Sequence, residues 1–230
     1  MVTTCSAVCD SKWNRRLRFS AHYARYLDRI TFSWKAEGSR PPMVKLKELW
    51  ELGLRIVRDH RRFFEELAEE EQIAGEVFRS YLVYAAAVPA IAAFVGNAIV
   101  GDKGVLAPAV PALLRSALFY GLMIGHVFLV AELLAYVSPY FELEPDFNRS
   151  FAFVAYALAP AFGAGAFYLL PVLRPFSLAG LYSLYLIYTY SPPVFRVRNE
   201  VSRPFAMAAV ALTVATWFVL SLAFSVVAWS

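Results

Sequence analysis

Cysteine, charge and polar chemistry are all scarce in this sequence. Cysteine occurs only at Cys5 and Cys9. Two thiols four residues apart, with no histidine pair nearby, build neither a zinc site nor a disulfide framework; they read as free thiols in a tail. Charged residues make up 17% of the chain, where ordinary soluble domains carry about a quarter. P-loop, G-x-S-x-G, H-E-x-x-H, C-x-x-C and Gly-rich dinucleotide patterns are all missing. The apolar segments offer no convergent set of polar groups of the kind that catalysis uses. The expectation is a protein that is not an enzyme, with no catalytic residue, no metal site and no cofactor.

Apolar residues fill the gap. They account for 59% of 230 residues, and mean hydropathy is +0.50. Charge is also unevenly placed: 15 of 22 Lys and Arg and 12 of 18 Asp and Glu precede Tyr81. A wet first third is followed by a greasy remainder. The pI near 9.1 does not point to nucleic acid, because the basic residues alternate with acidic ones and no binding motif accompanies them. Membrane orientation accounts for them instead, since Lys and Arg gather on the cytoplasmic side of spanning helices.

Three regions follow. Residues 1–42 form a basic leader with 8 basic and 3 acidic residues. No apolar run follows the cluster Lys12 to Arg18, so it is not a secretory signal. It reads as a transit peptide or, preferably, as an extension upstream of a true start at Met43. Residues 43–80 are helical in pattern: Leu46, Leu49, Trp50, Leu54, Ile56, Val57, Phe63, Phe64 and Leu67 recur at three- and four-residue intervals among charges. Such a segment lies in the membrane interface or packs as a surface helix on its own bundle. Its acidic run from Glu65 to Glu71 reads as a solvated helix face.

Residues 81–230 carry five apolar runs, at about 81–100, 113–137, 151–173, 176–190 and 205–229. About 20 apolar residues at 1.5 Å each match a hydrocarbon core of roughly 30 Å. The predicted fold is therefore all-α and integral to the membrane, with five transmembrane helices preceded by a cytoplasmic or interfacial amphipathic helix. Spans three and four are joined so tightly at Arg174-Pro175 that they form a helical hairpin. A cytoplasmic amino terminus puts Arg149, Arg196, Arg198 and Arg203 inside. Lys103, Arg115, Arg174 and the carboxyl terminus then lie outside.

Small and polar residues within the spans come next. Ala117, Gly121 and Gly125 recur at four-residue steps, a spacing that permits close helix approach in lipid. Ala85, Ala92, Gly96, Ala159 and Gly163 are candidate opposing surfaces. Pro89, Pro160 and Pro171 allow kinks. His126 is the deep titratable group, with Glu132 and Arg115 nearer the ends of the same span. His126 and Glu132 are six residues apart and so do not share a face.

From the third span onward the sequence resembles the Yip1 family, particularly its prokaryotic members. The resemblance is carried by Phe153-Val154-Ala155-Tyr156-Ala157-Leu158-Ala159-Pro160, by Leu181-Tyr182-Ser183-Leu184-Tyr185-Leu186-Ile187-Tyr188 and by Pro193-Val194-Phe195. Tyr84 to Ala92 is similar as well. The resemblance implies five spans with a cytoplasmic amino terminus and, for the eukaryotic members, Rab binding and mutual association. The D-L-Y-G-P motif of those members is absent here.

The functional expectation is a scaffold or adaptor whose partners are the lipid bilayer and an unidentified membrane or cytoplasmic protein, self-association included. Its binding surface is Val44 to Phe78 with Arg196, Arg198 and Arg203. The alternative is a small transporter, channel or lipid-handling protein built around His126.

Overall fold

The computed structural model describes residues 46–70, 72–97 and 109–229. The basic leader, the choice between Met1 and Met43, and residues 98–108 lie outside the described residues. Every regular element among the described residues is helical.

The chain enters through α1 (Leu46–Arg58) and α2 (His60–Glu69). Asp59, at φ −119° and ψ 41°, leaves helical geometry and separates the two. The three- and four-residue apolar spacing becomes one buried stripe of Ile56, Phe63, Phe64 and Leu67. Phe64 stacks on Tyr190 at 4.8 Å between ring centres, and Phe63 meets Tyr156 edge-on at 5.2 Å. Their contacts are with the helix bundle.

The first apolar helix begins as α3 (Ala74–Val77), loosens into a π-turn over Phe78–Leu82 and continues as α4 (Val83–Val95). Next come α5 (Ala109–Val137), a 3-10 turn Ser138–Phe141, α6 (Phe147–Ala157) and α7 (Ala159–Ala164). Leu158 leaves helical geometry one residue before Ala159-Pro160, and this is why α6 and α7 are separate. The break frees backbone donors, one of which is recovered: Ala161 N–H donates to Ser183 Oγ at 3.0 Å. A polar side chain on a neighbouring helix is how membrane bundles satisfy a proline break.

Two 3-10 segments, Gly165–Leu169 and Pro171–Leu181, turn the chain back into α8 (Tyr182–Val194), and α9 (Asn199–Trp229) ends it. The hairpin between the third and fourth expected spans is present, because Pro171–Leu181 packs on both α7 and Gly165–Leu169.

Among the described residues, four helical stretches are long and apolar enough to cross a membrane: Ala74–Val95, Val110–Phe141, Phe147–Leu169 and Asn199–Ser225. The expected fourth span, 176–190, is not among them. Pro171, Pro175 and Gly180 hold its beginning in 3-10 geometry, and α8 has 13 residues, short of the roughly 20 that hydrocarbon requires.

Small residues pack the bundle, but not the ones whose spacing announced it. Ala117, Gly121 and Gly125 are exposed, and a Cβ on either glycine would meet nothing within 4 Å. The close approaches fall at Gly96, one of the candidate opposing residues, and at Gly165. Gly165 lies against the ring and Cα of Pro89, and Gly96 against the Tyr168 carbonyl, each with no room for a Cβ. Pro89 is thus a packing residue inside an uninterrupted α4, opposite a glycine outside any repeat.

Candidate functional site

Two places gather the polar side chains: one end of the bundle and a point inside it. At the end, α8 closes in a Schellman cap. Val197 N–H donates to Pro192 O at 2.9 Å and Arg196 N–H to Pro193 O at 3.2 Å. That cap demands a left-handed residue, normally glycine; Arg196 fills it at φ 53°. The 3-10 turn after α5 closes the same way, with Leu143 N–H on Ser138 O, Glu142 N–H on Pro139 O and Glu142 at φ 63°.

These caps are joined through side chains. Arg198 Nη1 donates to Glu142 Oε2 at 3.0 Å, and its Nη2 to Glu200 Oε2 at 2.8 Å. Arg196 Nη2 donates to Ala68 O at 3.2 Å, a carbonyl in the last turn of α2, where orphan acceptors attract cations. Ala74 N–H donates to Asn148 Oδ1 at 3.1 Å. Asp146 caps α6 by accepting from Arg149 N–H at 3.1 Å. One end of the bundle therefore collects the last turn of α2, the start of α3, both caps and the start of α9. Arg203 projects there, exposed and outside these pairs.

Inside the bundle, His126 is 3% exposed. Its Nδ1 lies 3.4 Å from Thr216 Oγ1, and its ring stands edge-on to Trp217 at 5.4 Å. Thr216 Oγ1 donates its single proton to a backbone carbonyl, Leu212 O at 2.8 Å. The histidine ties α5 to α9 and has no carboxylate beside it. Next to this tie runs an apolar crevice lined by Phe119, Met123, Leu220, Ser221 and Phe224. Glu132 is half-buried, a turn and a half further along α5, and Pro160 belongs to the α6–α7 break.

The arrangement therefore joins Arg196 and Arg198 but leaves His126 and Glu132 apart. Sequence reasoning missed Glu142, Thr216, Ser183 and Gly165. Glu142 and Thr216 have no periodic signature, and Ser183 matters only because a proline elsewhere frees a donor.

The family model described as Yip1 domain matches residues 54–222. Two relatives, the Inner membrane protein YohC of Escherichia coli strain K12 and that of E. coli O6:H1, are each 25% identical over 177 residues. The alignment covers 73% of this chain and 90% of theirs. No solved structure matches.

Proposed function

The chain belongs to the Yip1 domain family, and on that footing we propose that this multi-pass membrane protein is a non-enzymatic scaffold or adaptor. We place it in the inner membrane, as its relatives are named, with the amino terminus cytoplasmic and the carboxyl terminus outside. Residues 171–194 then form a fifth, partly 3-10 crossing, since Arg198 meets Glu142 at the end where α5 finishes.

The observation that carries this reading is the single surface made at that end by the last turn of α2, the Arg196–Arg198 turn and the start of α9, which bears Arg203, joined through Arg196 and Ala68. Arginines of the turn before α9 and of its first turns, with the charged end of α2, present donors and acceptors to a cytoplasmic partner, while the spans are almost free of charge. Arg196 and Arg198 also hold the caps together, so Arg203 is the residue to change. Arg203→Glu in the full-length protein should lose a protein captured by crosslinking in native membranes and leave the fold intact. Capture at the wild-type level would refute the scaffold.

A second reading, lipid handling, draws on the apolar crevice beside His126 and Trp217. A lipid-transfer or flux assay in liposomes, lost in His126→Leu, would favour it over the scaffold.

A further inference from the structure

With residues 171–194 taken as a crossing, α1 and α2 lie at membrane depth. The end that joins Arg196 to Ala68 is then the cytoplasmic one. From there α2 runs back along α8: Phe64 stacks on Tyr190, and His60 stands edge-on to Tyr182 and Tyr190. Between Ala68 and His60 the helix descends about 12 Å, taking 1.5 Å per residue. Beyond Asp59, α1 packs on α7. That helix starts at Ala159, whereas α6 starts at Phe147 beside the cytoplasmic end. By the same rise, α1 therefore lies roughly 18 Å from that end. The midplane of a hydrocarbon core is about 15 Å from its edge.

The outer side of these two helices is charged. The Arg61, Arg62 and Glu65 side chains are 83%, 81% and 60% exposed, and Glu51, Arg55, Arg58 and Glu69 are exposed as well. Ion pairs link them into a ladder: Arg55 and Arg62 both hold Glu66, and Arg61 holds Glu65. Paired in this way they still turn strongly polar groups outwards, and hydrocarbon is costly for such groups. The polar line continues on α8. Tyr182, beside His60, stacks on Tyr185 at 5.5 Å, and Tyr185 is exposed. The tyrosine hydroxyls thus prolong the line past the point where α2 begins.

We propose that this flank is a track for phospholipid headgroups, and that the protein exchanges phospholipid between the two leaflets. An unaided lipid is held in its leaflet because its headgroup must cross hydrocarbon without polar partners. Charged side chains at membrane depth draw water inwards and thin the bilayer around them. A zwitterionic headgroup matches the ladder: its phosphate meets Arg61 and Arg62, and its ammonium meets Glu65 and Glu69. The acyl chains stay in the surrounding lipid. No bond forms or breaks, and exchange runs in both directions without an energy source. The proposal rests on the reading of residues 171–194 as a crossing, and its site lies apart from the crevice beside His126.

The test uses the full-length protein in vesicles of phosphatidylethanolamine and phosphatidylglycerol. These carry a trace of phosphatidylethanolamine with a fluorophore on one acyl chain, and external dithionite bleaches the outer leaflet. In empty vesicles bleaching stops when that leaflet is exhausted; wild type should carry it through to the inner leaflet. The triple variant Arg61→Leu, Arg62→Leu, Glu65→Leu should slow this second phase about tenfold or more, because the headgroup loses its polar partners. Arg61→Glu with Glu65→Arg keeps the flank polar and should retain the wild-type rate, which separates loss of the track from loss of the fold. Arg203→Glu and His126→Leu lie off the track and should also retain it. No second phase in wild type, an undiminished rate in the triple variant, or loss in the exchanged pair overturns the proposal. The crossing is tested separately by Val172→Cys in a chain whose Cys5 and Cys9 are replaced by Ser. Labelling of that exposed position by an impermeant maleimide from outside, with no second phase in wild type, overturns the track alone. Labelling only from the cytoplasmic side overturns the crossing and the track together.

Discussion

Arg198 Nη1 lies 3.0 Å from Glu142 Oε2 and so joins two loops that are 56 residues apart in sequence. The bridge spans two left-handed caps whose apex residues, Glu142 and Arg196, have positive φ without being glycine. Left-handed geometry costs a non-glycine residue about 1–2 kcal/mol. The loops accept that strain and place a carboxylate and a guanidinium at the end of the bundle.

The bridge itself is weak, its side chains being 65% and 76% exposed. Arg198→Ala should lower stability by no more than about 1 kcal/mol, and raised salt should shrink the difference. Glu142→Gly should be neutral or stabilising, because relief of the cap offsets the lost pair. Unfolding by SDS in mixed micelles, followed by circular dichroism, measures both. A loss well beyond 1 kcal/mol in Glu142→Gly would show that the side chain, and not the cap, holds this end.

Two glycines should behave oppositely. Gly165→Ala drives a methyl group into Pro89 and should cost about 1–3 kcal/mol through overpacking. Gly121→Ala meets open space and should leave stability unchanged or slightly raised by better helix propensity. The same micelle assay compares them. Equal losses at both sites would contradict the packing described.

Ser183 satisfies a donor that the α6–α7 break leaves open. Ser183→Ala should cost about 1–3 kcal/mol, the penalty for an unpaired buried group. Ser183→Thr keeps the hydroxyl and should recover part of that stability. Hydrogen exchange at Ala161 gives a local readout, and unchanged protection of that amide in Ser183→Ala would remove the bond from the account.

The tie between His126 and Thr216 lends itself to a double-mutant cycle. Interhelical hydrogen bonds in membranes are worth about 0.6–2 kcal/mol. His126→Leu and Thr216→Val should each cost that much and fail to add when combined. Full additivity would mean that the 3.4 Å contact carries no energy and that each residue acts through packing alone.

The hairpin, the helical class and the place of His126 inside a span were legible because each depends on hydropathy or local chain stiffness. Four of the five apolar runs coincide with helices that can cross a membrane. The run at 176–190 did not, since a count of apolar residues is blind to 3-10 geometry imposed by Pro171, Pro175 and Gly180.

Composition and periodicity determine that this chain is helical and enters a membrane, and which stripe of α2 is apolar, because water and lipid act on each residue locally. Which partners meet across the bundle is a tertiary matter. The four-residue rhythm of Ala117, Gly121 and Gly125 looks outward, while the tight approach is made by Gly165 on Pro89. A backbone approach depends on two surfaces at once, and one strand of sequence describes only one of them. The same holds for Arg198 with Glu142, Ala161 with Ser183 and His126 with Thr216: each needs a partner that the fold alone brings within reach.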